Sequence, residues 1–353
     1  MSLKDKVLFL GLGNYGCKQA KIFFDMGYKV MFANGSEQDL KALGNVPNIY
    51  RLKHFDGFGG HRERAIDCLA ENEEFVKALE NIEEEIIFPI NASGGSTGSG
   101  TAPVAEEVLL NSEKPKIVCP INALPASNEA IVKHRNAYQA VQELLELKEI
   151  GLGATFFINN DIDKDYDYIN NTFAELLNNF LTNNSYGALN NFDESERIEM
   201  LCDGGAMVLS LGKIGTKVST MVEKVTSGGI FAPIENNKIC ENIAIVHAGD
   251  DNRDIEVSSI ISEVGKSKNV FEGYNNEEGT LIAVSGLDYP ISHVSKLGEL
   301  AQKAYEERQR NRKQSGQIKL ADLTFMEAEE PKKIVQEKKT SSKLEQLRKR
   351  MKK

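Results

Sequence analysis

Apolar runs and amphipathic stretches alternate along the first half of the chain. Runs of strand length lie at 6–10, 27–33, 85–90, 115–118 and 154–158, and helical periodicity lies between them, notably at 17–26, 102–110 and 129–149. Strands that alternate with helices build a largely parallel sheet with helices on both faces. This half of the chain therefore predicts an α/β fold.

The second half begins with one long apolar stripe. Between 164 and 184, apolar residues recur at intervals of three and four, which predicts a single core helix. Strand-length runs at 207–211, 242–247 and 280–285 then alternate with helical stretches, including 255–264 and 291–312. These runs predict a second, smaller α/β domain.

The changes of pattern divide the chain. We predict a Rossmann-like parallel-sheet domain at 1–163, a central helix at 164–186, a polar loop and helix at 187–204, a smaller α/β domain at 205–313 and a tail outside the core at 314–353. The tail is predicted because the composition becomes polar and basic after Gly316.

Charge is distributed unevenly along the chain. The 353 residues carry a net charge of −10, but ten Lys and Arg against two Glu give 331–353 about +8, which leaves about −18 for the residues before it. An acidic body does not favour direct sequence-specific DNA binding. The basic tail suits an acidic partner, a nucleoprotein or an anionic membrane.

The cysteines and the apolar runs bear on the cellular compartment. Five scattered cysteines without a CxxC pair favour a reducing cytoplasm over a disulfide framework or a structural zinc site. The apolar run at 7–10 is far shorter than a signal-peptide core or a membrane span. We therefore expect a cytoplasmic protein without a transmembrane segment.

Three glycine-rich clusters, at 11–16, 57–60 and 94–100, each follow a plausible strand. Glycines let backbone N–H groups face an anion, the helix after the third cluster adds the partial positive charge of its N-terminus, and Ser and Thr hydroxyls add donors. Three such loops at the strand ends of one sheet indicate a ligand with several phosphates. A flexible Ser/Gly linker is the alternative for 94–100, but linkers are not usually held between a buried strand and an amphipathic helix.

The first cluster, GLGNYG at 11–16, also fits a dinucleotide fingerprint. A nicotinamide-dependent oxidoreductase is therefore an alternative. That fold prefers Asp or Glu at the end of the second strand, where this chain has Asn34, and it does not need the loop at 94–100. The chain also lacks the GxxxxGK[ST] sequence of a P-loop NTPase.

The sequence GGSTGSG at 94–100, followed by APV at 102–104, resembles the tubulin/FtsZ signature, GGGTGTG followed by APV. The resemblance covers about residues 5–312 and implies a GTPase that binds GTP and GDP. Mg²⁺ would then be coordinated mainly by the phosphates, and we expect no dedicated metal site in the protein.

The resemblance implies a nucleotide site built from loops in chain order. The residues matched to its first nucleotide loops are Gly11, Gly13, Asn14, Gly16, Asn34, Gly57, Gly59, Gly60, Gly94, Gly95, Ser96, Thr97, Gly98, Ser99 and Gly100. The residues matched to ribose and guanine contacts are Glu129, Lys133, Asn160, Tyr166 and Asn170. Lys133 departs from the Arg that FtsZ often has. Tyr166 and Asn170 lie one turn apart on the predicted helix and could reach one purine, although core packing is the alternative for Tyr166.

A second signature, NFDESE at 191–196, resembles the superfamily's NxDxxD synergy loop, with Glu196 in place of the second Asp. The resemblance implies that Asn191, Asp193 and Glu196 are catalytic residues that act on the nucleotide of the next subunit. GTP would then be hydrolysed at a head-to-tail contact, which generates a filament. The structural alternative is a solvated helix start with Asp193 as its N-cap.

The tail distinguishes branches of the superfamily. Leu344, Leu347 and Met351 form an apolar stripe on a basic helix, and Ser342 and Glu345 have the spacing of a capping box. Such a tail differs from that of FtsZ and looks most like that of the plasmid- and phage-encoded TubZ family. That resemblance implies self-assembly, an adaptor of TubR type on centromere DNA and a role in DNA segregation. An FtsZ-type division scaffold and a merely solubilising tail are the alternatives.

Overall fold

In the part of the chain that the structure describes, eleven strands form one sheet. The computed structural model describes residues 2–163, 165–182, 192–249, 255–275, 279–315 and 342–351. The strands are β1 (Val7–Leu12), β2 (Lys29–Asn34), β3 (Ile49–Arg51), β4 (Ile86–Ala92), β5 (Ile117–Val118), β6 (Ile121–Leu124), β7 (Ala154–Asn159), β8 (Gly205–Lys213), β9 (Asn242–Ala248), β10 (Asn269–Asn275) and β11 (Gly279–Leu287).

Helices cover both faces of this sheet. They are α1 (Gly13–Asp25), α2 (Glu37–Lys41), α3 (Ala65–Glu71), α4 (Glu73–Glu80), α5 (Thr97–Leu110), α6 (Ile131–Lys148), α7 (Tyr166–Thr182), α8 (Glu194–Cys202), α9 (Val218–Glu223), α10 (Val257–Val264), α11 (Ile291–Ser315) and α12 (Lys343–Met351). Short 3₁₀ helices lie at Leu3–Lys6 and Arg62–Arg64, and a π-helical turn lies at Lys224–Gly228.

The sheet order is β10-β9-β11-β8-β7-β6-β4-β1-β2-β3, with β5 beside β4. Only β11 runs antiparallel to its neighbours among the described strands. The carboxyl ends of β1, β2, β4, β6 and β7 therefore lie at one edge of the sheet. The predicted α/β fold with a parallel-dominated sheet and a second α/β region is confirmed.

Helix α7 is the central core helix. Its Phe173 is fully buried and packs edge-on against Phe23 of α1, Phe156 of β7 and Phe231. These aromatic contacts join the first α/β region to the second, because Phe231 follows β8 in the chain. Strands β7 and β8 make the direct connection within the sheet, through the pairs Ala154↔Gly205 and Thr155↔Ala206.

Two helices begin earlier than their apolar periodicity predicts. Helix α1 begins at Gly13 and α5 at Thr97, so the first turn of each helix is built from the glycine-rich sequence itself. Glycine, serine and threonine carry little periodic signal, and the hydrophobic pattern therefore places both starts too late. Strands β3, β6 and β10 are missing from the predicted runs, since β3 has only three residues, β6 begins after a gap of two residues from β5, and β10 is mostly half-exposed or exposed.

Within the tail predicted for 314–353, residues 342–351 pack on the body and so correct the expectation that they stay outside the core, whereas 316–341 and 352–353 lie outside the described residues. Helix α12 packs against α3 and α5, with Leu347 fully buried and Leu344 nearly so. The Glu345 N–H donates to the Ser342 hydroxyl at 3.1 Å, so Ser342 caps the helix as predicted. The apolar stripe that the sequence shows is thus a buried face, and burial of its leucines outweighs the polar composition around it.

Across the described ranges, no helix has both the length and the apolar character needed to cross a bilayer.

Candidate functional site

The first turns of α1 and α5 touch at the carboxyl edge of the sheet. A Cβ on Gly13 would lie 2.8 Å from the Gly98 nitrogen, and a Cβ on Gly98 would lie 2.5 Å from the Leu12 carbonyl oxygen. Only glycine at both positions allows this approach, since real Cβ contacts are longer. Two helix N-termini, each with free N–H groups and partial positive charge, therefore meet at one place, which suits a polyanion.

Two hydroxyls in the first turns of α5 already donate hydrogen bonds to backbone carbonyls of the same segment. The Ser99 hydroxyl donates to the Gly95 carbonyl at 2.5 Å, and the Thr101 hydroxyl donates to the Thr97 carbonyl at 2.9 Å. Each hydroxyl has one hydrogen to donate, so these two are not the anion donors that the composition suggested. The donors at this turn are the backbone N–H groups of Thr97, Gly98 and Ser99.

The loop with Gly57, Gly59 and Gly60 stands beside this turn. All three glycines have left-handed backbone, with φ of 88°, 60° and 86°. The side chain of Asn136, buried on α6, donates to the carbonyls of Gly95 at 3.0 Å and Gly60 at 3.3 Å. Asn136 therefore ties the two predicted phosphate loops together. Nothing in the sequence marks Asn136, because one asparagine in an otherwise ordinary helix carries no signal.

Buried polar atoms at the strand ends lack partners within the described chain. Asn91 of β4 donates to Asn122 of β6 at 2.9 Å, while the Asn91 Oδ1, the Asn122 Nδ2 and the Ser93 Oγ make no hydrogen bond there. Buried polar atoms normally have partners. Their position beside the glycine-rich turn fits a site that takes a polar ligand. Asn34, also buried, donates to Asp39 at 3.2 Å at the end of β2.

Three of the residues matched to ribose and base contacts, Glu129, Lys133 and Tyr166, lie near one another. Glu129 accepts from the Ala126 N–H at 3.0 Å and from the Lys133 ammonium. Burial, and then the Glu129 carboxylate, raises the pKa of Tyr166, and Lys133 opposes that shift, which shows that the three side chains share one neighbourhood. Asn160 comes directly after β7, where its N–H donates to the Leu124 carbonyl at 3.4 Å.

Tyr166 and Asn170 differ in their exposure and in the contacts that they could offer a ligand. Tyr166 begins α7 and is 43% exposed, so it is not a core side chain. Asn170 is buried, its backbone carbonyl accepts from the Gln19 amide at 3.0 Å, and its side-chain Oδ1 makes no hydrogen bond in the described chain. An exposed ring one turn before an unpaired acceptor fits a purine with donor groups on its edge.

The acidic stretch before α8 forms a reciprocal cap. Asp193 is the N-cap, as predicted, and its carboxylate accepts from the Glu196 N–H while Glu196 accepts from the Asp193 N–H. Burial raises the pKa of the Glu196 carboxyl, and the hydrogen bond from Asp193 opposes the shift. A carboxylate with a raised pKa is a better proton acceptor near neutral pH. Asn191 lies outside the described residues.

The acidic cap and the glycine-rich turns lie at opposite edges of the sheet. Glu194 at the start of α8 pairs with Lys6 at 3.0 Å, and Lys6 directly precedes the amino end of β1. The glycine-rich turns follow the carboxyl end of that strand. Six residues of strand span about 20 Å. The structure therefore brings the loop residues together in one site and leaves Asp193 and Glu196 apart from it.

The glycine-lined edge of a parallel sheet, the central helix and the second α/β region with an antiparallel strand make up a fold that this chain shares with the solved tubulin-like proteins TubZ and CetZ. No family model matches the chain. Curated relatives that match it include TubZ and CetZ proteins.

Three relatives illustrate the likeness. The tubulin-like protein TubZ of Clostridium botulinum C phage is 24% identical over 87% of this chain and 86% of its own length. The crystal structure of Clostridium botulinum phage c-st TubZ superposes with a TM-score of 0.76, at 21% identity, over 86% of this chain and 99% of that one. The tubulin-like protein CetZ of Pyrococcus horikoshii is 20% identical over 90% of this chain and 95% of its own. A GTPγS-form protofilament of Bacillus thuringiensis serovar israelensis TubZ superposes with a TM-score of 0.72, at 14% identity, over 88% of this chain and 94% of that one.

Proposed function

We propose that the chain binds guanine nucleotide, polymerises head to tail and hydrolyses GTP where one subunit meets the next. The observation that carries this proposal is the separation of the two halves of the site. The glycine-rich turns at 11–16 and 94–100 contain no Asp or Glu that could activate water, and the acidic cap lies at the far edge of the sheet, next to Lys6. A second copy stacked in the same orientation would bring its acidic cap to the first copy's glycine-rich turns.

In this arrangement each group has a separate task. The N–H groups at the start of α1 and α5 bind the phosphates and stabilise charge that develops on them. Glu196 and Asp193 of the adjoining copy, with Asn191, orient and polarise the attacking water. Tyr166 stacks on guanine, Asn170 accepts from its donor groups, and Glu129 and Lys133 lie toward the ribose.

Mg²⁺ would be held mainly by phosphate oxygens and water. In the part of the chain that the structure describes, no three His, Cys, Asp or Glu side chains converge as a metal site.

The proposed cellular role is segregation of plasmid or phage DNA in the cytoplasm. It is supported by the likeness to TubZ and by the basic C-terminal segment. That segment would engage a DNA-bound adaptor of TubR type. Deletion of 331–353 is then expected to spare assembly and to abolish capture of the adaptor–DNA complex, and capture is expected to weaken with salt. Capture that survives the deletion contradicts this role for the tail.

The proposed activity is tested by titration of the purified chain with GTP, ATP and NAD, while light scattering and phosphate release are recorded. We expect saturable GTP binding, scattering that rises with GTP, and phosphate release whose rate per subunit increases with protein concentration. Binding of NAD with indifference to GTP would favour the oxidoreductase alternative. A turnover rate independent of concentration would contradict an active site shared between subunits.

A further inference from the structure

Helix α12 occupies a groove on the body of its own chain. Leu344 and Leu347 are buried against α3 and α5, and Met351 packs beside them at the edge of the core. The Leu344 N–H, one of the free donors of the helix's first turn, is bound by the Glu107 carboxylate at 3.0 Å. Both the apolar face and the N-terminus of α12 are therefore satisfied by the body.

The charges of the groove and of the helix are complementary. Lys343 pairs with Glu143 of α6 at 2.6 Å, and Arg350 pairs with Asp67 of α3. The groove presents carboxylates, while the helix presents a lysine, an arginine and the partial positive charge of its N-terminus. An amphipathic basic helix is thus the kind of partner that this surface fits.

The groove is continuous with the phosphate loops. Glu143 also pairs with Arg62 at 2.6 Å, and the Arg62 guanidinium donates to the Ser99 carbonyl in the first turn of α5, also at 2.6 Å. Arg62 follows Gly60 by two residues. One carboxylate, that of Glu143, therefore connects the tail through Lys343 and both phosphate loops through Arg62.

A cleft runs along this connection. It is lined by Arg62, Gly100 and Glu143 from the body and by Lys343, Gln346 and Arg350 from α12. Glu106, buried beside Glu143, makes no hydrogen bond in the described chain. The docked helix thus brings its positive side chains onto a part of the body that is rich in carboxylates.

We propose that the groove formed by α3, α5 and α6 is the docking site for the chain's own C-terminal helix, and that the Lys343–Glu143–Arg62 bridge couples this docking to the phosphate loops. The occupant is the same chain, because a tethered helix has an effective concentration near the millimolar range, above that of any free copy at micromolar protein. Docking buries the apolar stripe of α12, so a partner that needs this stripe must first displace the helix. The docking of α12 goes beyond the proposed function and does not depend on it. The coupling between this docking and a bound nucleotide rests on the proposed function.

Hydrogen exchange of the full-length chain without nucleotide tests the docking. In Leu347→Ala, the amides of 344–351 are expected to exchange at least about tenfold faster than in the wild type, because the buried anchor is lost while Ala keeps the helix propensity high. Lys349→Ala is the matched control, since Lys349 lies exposed on the same helix and pairs only with Glu345 among the described residues. Equal exchange in wild type and Leu347→Ala overturns the docking.

Dilution of the protein shows whether the helix in the groove belongs to the same chain or to a second copy. Protection of 344–351 that stays constant over a tenfold dilution supports docking within one chain. Protection that falls with dilution shows that a second copy supplies the helix, and this overturns the proposal of a cis contact.

The coupling is tested by the same measurement with GDP and with GTPγS. We expect the exchange rate of 344–351 to differ at least about fivefold between the two nucleotides, and the difference to vanish in Glu143→Gln. Equal rates in the wild type overturn the coupling. A chain that binds neither nucleotide overturns the proposed function instead, and leaves the result of the nucleotide-free experiment standing.

Discussion

The carboxylates of Asp193 and Glu196 each accept a hydrogen bond from the other residue's backbone N–H, at 3.0 Å and 2.9 Å respectively. The acidic pair that resembles a catalytic signature is therefore also the cap of α8. A substitution that removes a side chain here would damage the helix start and the proposed chemistry together. Amide variants separate the two roles, because Asn and Gln can still cap while they carry no charge.

Glu196→Gln is expected to reduce GTP turnover at least about a hundredfold, the scale of a lost general base. Guanine nucleotide binding and the free energy of unfolding should stay close to those of the wild type, and polymers should persist longer. Phosphate release, a binding titration and urea denaturation measure the three quantities. Glu199→Gln, on the same helix, is the control. Wild-type turnover in Glu196→Gln would remove the proposed role.

Gly98→Ala is expected to weaken nucleotide binding by more than about tenfold, because its Cβ would collide with the Leu12 carbonyl and separate the first turns of α1 and α5. The same collision should lower the free energy of unfolding by about 1–3 kcal/mol. Urea denaturation and a nucleotide titration check both effects. Gly204→Ala is a matched control, since a Cβ at that position meets its nearest neighbour at an ordinary 3.4 Å. If both variants bind equally well, close contact between the two turns is not needed for binding.

Asn170→Ala is expected to weaken GTP binding by roughly 10- to 100-fold and to reduce the preference for GTP over ATP, because one buried acceptor for the guanine edge is removed. The contact of the Asn170 backbone carbonyl with Gln19 does not depend on the side chain and should persist. Competitive titrations with both nucleotides measure the preference. Asn171→Ala, at an exposed position of the same helix, should change neither value. An unchanged preference in Asn170→Ala would show that guanine is recognised elsewhere.

The buried carboxyl of Glu106 is expected to make the free energy of unfolding depend on pH. Burial, with a contribution from Glu143, raises the pKa of its carboxyl to about 8, and Lys343 opposes the shift. The folded chain therefore keeps a proton that the unfolded chain releases above about pH 4.5. Since the folded state binds more protons, this group lowers the free energy of unfolding as the pH rises from about 4.5 to 8.

The variant Glu106→Gln should remove that slope, because the amide resembles the protonated carboxyl and does not titrate. At pH 8 it should be more stable than the wild type by about 4 kcal/mol, and near pH 5 the difference should fall below about 1 kcal/mol. Urea denaturation across this pH range measures the difference. Glu80→Gln, at an exposed position, should leave the slope unchanged. A wild-type slope in Glu106→Gln would place the responsible proton on another group.

The sequence could predict the elements whose signal is local. The alternation of apolar runs indicates the sheet, the order of the glycine clusters indicates their meeting at one edge, and Asp193 is recognisable as a cap from its neighbours. Asn136 and Arg62 could not be predicted. Their partners lie far away in the sequence, and only the folded sheet brings α6 and the Gly57–Gly60 loop beside the first turn of α5.

The packing of the tail could be predicted only in part. Its composition is that of an unpacked segment, and its apolar stripe is visible as a periodicity. The periodicity does not reveal which surface of the body the apolar stripe packs against. The groove depends on Glu107, Glu143 and Asp67, which come from three separate helices.

The pairing between β7 and β8 has a mechanical consequence. Only the pairs at Ala154 and Thr155 connect these strands, whereas β8 and β11 are bonded along most of their length. Side chains add to this short run of pairs: the Thr155 and Tyr289 hydroxyls lie 2.9 Å apart, and Phe173 packs against both Phe156 and Phe231. A rotation of one half of the sheet against the other would therefore have to break backbone pairs and side-chain contacts together.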